Sequence, residues 1–192
     1  MTEPVLHENL MCVIEYLKYL NKVDTIDNAR IAIDLVHHEI HEGNYYSATV
    51  IDTDVDTAAP KYVRITAPNT AARIHFTGMV YATAAGLVEF YENPTLNAAG
   101  TAVTIFNNDR NSIKTATATV FYDTTTQAPN NDGTRIDAGR VGGAARPNFR
   151  IGGETARRNE WILKQAEDYI LKFTPDADNT EFITVLSWYE VI

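Results

Sequence analysis

One cysteine, Cys12, stands in a chain of 192 residues. No intramolecular disulfide framework is open to it, so packing must hold the fold. No apolar run approaches the roughly 20 residues of a membrane-crossing helix. The opening Met-Thr-Glu-Pro is acidic and leads into no cleavable apolar region, so no secretory signal is expected. Basic residues are few: 16 Lys and Arg against 25 Asp and Glu, a net charge of −9. That balance argues against a nucleic-acid binder. Activated nucleophiles are missing too. Cys12 sits in a helical pattern with no basic neighbour, and Ser187 lies inside an apolar strand pattern. Gly152-Gly153 lacks both the strand before it and the Lys-Ser/Thr after it that a phosphate loop needs. These absences predict a chain with no catalytic residues and no cofactor.

What is abundant is threonine and alanine, 23 of each. Thr suits a pleated, half-buried surface, so the composition leans to a mainly β body. The length fits one good-sized domain, or a domain of about 150 residues with an appendage.

The pattern is helical at first. Val5, Leu6, Leu10, Val13, Ile14, Leu17 and Leu20 recur at three- and four-residue steps, and Ile26, Ala29, Ile33 and Val36 repeat the spacing. Residues 1–36 are therefore expected to be a helical appendage and residues 37–192 a β-sandwich of jelly-roll type. Gly43 could stop the second helix, or His37–His41 could already open the first strand.

From Tyr45 the period is two. Strands are expected over Ser47–Val55, Tyr62–Thr66, Arg73–Ala82 with a bulge at Gly78, Leu87–Tyr91, Thr101–Phe106 and Thr115–Tyr122, with weak pairing over Thr134–Val141. Gly142–Gly153 has the composition of an exposed loop. Glu160–Thr174 fits one helical face or a hairpin around Gln165–Asp168, and the hairpin is favoured because Pro175 and the last strand follow at once. In that last strand Phe182, Leu186 and Trp188 share one face, while Ile183, Val185, Tyr189 and Val191 share the other. A strand apolar on both sides is central to a sandwich or has its outer face covered by another subunit. Phe182, Leu186, Trp188 and Tyr189 are thus expected at the core or a subunit interface.

Several side-chain groups invite a chemical reading. His37 and His41 are four apart, but the residue after the first is His38, not the Glu of helical zinc proteases. Asp52, Asp54 and Asp56 begin like a calcium loop, yet Thr57 and Val63 stand where Gly and the closing Glu belong. No metal site is expected from either. Tyr45, Tyr46, Tyr62, Tyr81, Tyr91 and Tyr122 would suit a sugar-binding face or ordinary core and rim packing. Charge is polarised: residues 1–56 carry 11 acids against 3 bases. Six arginines, Arg135, Arg140, Arg146, Arg150, Arg157 and Arg158, fall within 24 residues. Arginine favours planar contact with carboxylates, so this segment is a candidate for docking on an acidic shell or subunit.

His38–Gly43 followed by Tyr45-Tyr46, Ile65–Pro68, Asn108–Ser112, Asn159–Gln165 and Leu186–Glu190, taken in that order, resemble a group of small tailed-bacteriophage structural proteins. These are head decoration, or cement, proteins with a jelly-roll body. The resemblance implies a non-catalytic virion protein on the capsid surface, made in the host cytoplasm, whose partners are the major capsid protein and two further copies in a homotrimer. It covers residues 37–191 and departs at the two helical patterns of residues 1–36 and at Gln165–Asp168, where a turn containing Asn or Gly would be typical. The competing expectation is a receptor- or glycan-binding module of a tail fibre or spike. Such a module is usually joined to a shaft of coiled-coil or repeat sequence. Read as complete at 192 residues, the chain has no room for one, which favours decoration.

Overall fold

The computed structural model describes residues 35–126, 131–142, 148–151 and 160–191. The helical patterns of residues 3–34 lie outside that range. The chain divides into two compact units, Met1–His38 and Glu39–Ile192. In the first, only the opening residues of helix α1 (Leu35–His41) are described. α1 runs on to His41 and then stops. Gly43 takes φ +70°, and its amide donates to Ile40 O at 3.0 Å, so the glycine ends the helix.

Among the described residues fourteen strands follow: β1 (Tyr45–Val55), β2 (Lys61–Thr66), β3 (Arg73–Ala82), β4 (Gly86–Glu92), β5 (Leu96–Ala98), β6 (Thr101–Ala102), β7 (Phe106–Asn107), β8 (Thr119–Tyr122), β9 (Thr125–Thr126), β10 (Thr134–Val141), β11 (Asn148–Ile151), β12 (Trp161–Leu163), β13 (Asp168–Pro175) and β14 (Thr180–Val191). One sheet has the order β11-β3-β14-β1-β7, with β12 also on β3. The second runs β10-β4-β13-β2-β8-β6, and β5 and β9 form a separate ribbon. Every pairing is antiparallel. Along the main strands the chain alternates between sheets, and the last strand inserts beside the first. That is jelly-roll order. The long β4–β10 connection leaves by the ribbon and adds β7 to the β1 edge and β8 and β6 to the β2 edge.

Alternation explains the sheets. In β3, Ile74, Phe76 and Val80 are buried while His75, Thr77 and Met79 face out; in β2, Val63 and Ile65 face in and Tyr62 and Arg64 out. The two inner faces meet through rings. Phe76 lies 5.4 Å from Phe90, and Phe173 lies 4.8 Å from Phe182, all four fully buried. Each pair joins the two sheets, so the aromatics align the layers as well as fill them.

Six expectations change. Gly78 is no bulge: it keeps register with Leu186 and Ile151, and a β-carbon there would meet Phe76, Ile151 and Leu186 only at ordinary contact distance. Thr101–Phe106 is two short strands in different sheets, and the strand expected at Thr115 begins at Thr119. Thr134–Val141 is a full partner of β4, in register from Thr134–Glu92 to Val141–Gly86 with one irregularity. Within the expected Gly-rich loop, Asn148–Ile151 is a strand on β3. Glu160–Thr174 is neither helix nor hairpin. β12 pairs with β3 and β13 with β2 and β4, so the turn between them crosses from one sheet to the other. Each of these pairings depends on partners far away in sequence, which periodicity does not report.

Candidate functional site

The outer faces of the two sheets differ in kind. On the first, register aligns Ile51 with Ile183 and Ile183 with Tyr81; the next row is Thr49, Val185 and Met79. Ile51 is 59% exposed, and Tyr81 is exposed as well. Strand β14 is thus apolar on both sides, as its sequence predicts, and Ile183 and Val185 on its outer face are only partly covered. Tyr189 does not. It is buried within the chain, stacked 4.5 Å from His75, and its hydroxyl donates to Glu160 Oε1 at 2.8 Å. Glu160 Oε1 also lies 2.9 Å from His75 Nδ1. Phe182, Leu186 and Trp188 point inward and belong to the core. The expected subunit cover is therefore not needed for Tyr189, and it remains open for Ile51, Ile183 and Tyr81.

The outer face of the second sheet is polar and internally paired. Lys172 Nζ donates to Asp132 Oδ2 at 2.7 Å and stands 5.4 Å from the Tyr62 ring centre. Burial works against its charge, but Asp132 and Tyr62 outweigh that and raise its pKa. Tyr91 is pushed up to about 12, by burial first and then by Glu89. Arg64 covers the Phe121 ring at 4.2 Å. The six tyrosines, which would suit a sugar-binding face or core and rim packing, are therefore split. Tyr46 is in the core, Tyr62 and Tyr91 are on this face, Tyr45 and Tyr81 are on the other sheet, and Tyr122 bonds Asp52.

Of the six arginines, Arg135 and Arg140 lie on β10 and Arg150 on β11; Arg146, Arg157 and Arg158 fall outside the described residues. Arg135 pairs with Glu89 at 2.8 Å, and Arg140 with Asp176. Asp52, Asp54 and Asp56 do not form a common face, because β1 breaks register between Asp52 and Val55. Asp52 is half-buried. Burial would raise its pKa, but Tyr122, the Asp54 amide and Lys61 together hold it below the usual carboxylate range. Among the described residues, no three His, Cys, Asp or Glu side chains converge as metal ligands.

Two residues carry structure that sequence reasoning passed over. Glu190 is buried and accepts from Trp188 Nε1 at 3.0 Å, from the Thr117 amide at 3.0 Å and from the Ala118 amide at 3.1 Å. Thr117 Oγ1 is the fourth donor, at 2.5 Å. The carboxylate fastens the β7–β8 loop to the end of β14. Its signal was an acid directly after the apolar pair Trp188-Tyr189. In the same loop Ile113 is 98% exposed, and its signal was one apolar residue in a polar run. Comparisons with protein-family models, with curated proteins and with solved structures find no match.

Proposed function

We propose that this chain is a structural virion protein that decorates and stabilises a bacteriophage capsid, bound to its outer surface as a trimer. The observation that carries the reading is the apolar outer row Ile51–Ile183–Tyr81, set on three paired strands of a jelly-roll sheet. Exposed contiguous apolar surface marks a contact with another protein, and a rigid sheet presents it without an ordering cost. The major capsid protein is the proposed partner. The motifs that resemble decoration proteins lie in the same body as this row.

A glycan-binding module is the second reading, favoured by Tyr62 and Tyr91 on the outer face of the other sheet. Against it, the charges that would grip sugar hydroxyls there, Lys172, Asp132, Glu89 and Arg135, already hold one another. Decoration is therefore the stronger reading. The test is sedimentation of the purified chain with shells assembled from the major capsid protein of the same genome. Saturable, stoichiometric pelleting is expected. A chain that stays in the supernatant at every ratio overturns the reading.

A further inference from the structure

Two features at opposite ends of the first sheet complement each other. The β7–β8 loop is fixed on several sides. Asn107 Nδ2 donates to Gly43 O at 2.8 Å and to Lys114 O at 3.2 Å. Lys114 Nζ reaches Glu42 O at 2.7 Å and Asn44 Oδ1 at 2.9 Å. Ser47 Oγ donates to Asn108 Oδ1 at 2.8 Å, and Glu190 holds the loop's far end. Ile113, 98% exposed, is thus a branched apolar knob on an ordered frame. Fixing the loop that carries such a side chain lowers the ordering cost of burying it in a partner.

The second feature is an open groove of about 220 Å³ lined by Tyr81, Ala82, Thr83, Glu181 and Ile183. The exposed Ile51 adjoins it through Ile183. The knob cannot enter the groove of its own chain. Its loop is tied to Glu190, while Glu181 lines the groove. Nine residue steps along β14 separate the two, roughly 30 Å at the rise of an extended strand.

We propose that Ile113 of one copy seats in the Tyr81–Ile183 groove of a second copy, a head-to-tail contact. The charges agree. Arg110 on the knob loop and Glu181 at the groove have opposite signs, and neither has an ion pair among the described residues. A contact between two different surfaces closes into a ring if its rotation allows, and otherwise extends as a filament. The proposal deepens the decoration reading, and rests on it for the expectation that copies meet.

The test uses the full chain, with Ile113→Asp to remove the knob and Ile183→Asp to block the groove. Light scattering should show an oligomer for the wild type at micromolar concentration and a monomer for each variant. An equimolar mixture should form a one-to-one heterodimer and nothing larger, because one intact knob and one intact groove remain. Charge exchange guards against a misfolded variant. Arg110→Glu and Glu181→Arg should each weaken association about tenfold, and the double variant should recover it. A monomeric wild type, an oligomer indifferent to Ile113→Asp, or a mixture that stays monomeric overturns the contact. A monomer that still pellets with capsid shells removes this contact and leaves decoration standing. A head-to-tail oligomer that ignores the shells does the reverse.

Discussion

Glu190 shows how one residue can join two distant parts of the chain. Its carboxylate is buried and collects an indole N–H, two backbone amides and a hydroxyl. Removing it leaves buried donors without an acceptor, and each such group costs about 1–3 kcal/mol. Glu190→Ala should therefore lose about 3 kcal/mol in urea unfolding. Glu190→Gln, which keeps one acceptor oxygen, should lose less. A Glu190→Ala protein as stable as the wild type would show that the loop is held by other means. The sequence makes Glu190 visible as an odd charge in a strand, but its partners Thr117 and Ala118 are about 70 residues away. No local pattern connects them.

At the scale of elements, the alternation that predicts β2, β3, β4 and β14 is strong because each has one face in the core. The edges are less legible. β6 and β7 are two residues long, too short for any period to register. β12 and β13 read as a hairpin because two apolar runs flank a short polar turn. The sequence does not say that the runs pair with different sheets. The turn itself carries a signature. Ala166 sits at φ +58°, where a β-carbon is strained and Gly or Asn is at ease. That explains the departure at Gln165–Asp168 from the expected turn chemistry: the geometry of a Gly- or Asn-type turn is present with Ala in it. Ala166→Gly should relieve the strain by more than the added freedom of the unfolded chain costs, a net gain of roughly 0.5–1 kcal/mol. Thermal unfolding measures it. A lower melting temperature in Ala166→Gly would mean that the methyl group contributes packing that outweighs the strain.

For the whole molecule, the jelly roll makes the two ends of the chain unequal. The last strand is central: β14 lies between β1 and β3 and inserts Phe182, Leu186 and Trp188 into the core. Burying those three side chains contributes roughly 5–9 kcal/mol at the usual 1.5–3 kcal/mol each, before two ladders of hydrogen bonds are counted. A domain's total stability is typically about 5–15 kcal/mol. A chain ending at Asn179 should therefore fail to fold. The opposite end behaves differently, since among the described residues the strands of both sheets lie between Tyr45 and Val191. A chain beginning at Leu35, which keeps α1 and its buried Glu39, should retain a β-type far-ultraviolet circular dichroism spectrum and a cooperative thermal transition. The two truncations need to be measured together. Loss of the sheet signal in both would mean that residues before Leu35 are required for the sandwich, and the division of the chain after the second helical pattern would be misplaced. Loss in the C-terminal truncation alone follows from a fold whose first and last strands are neighbours.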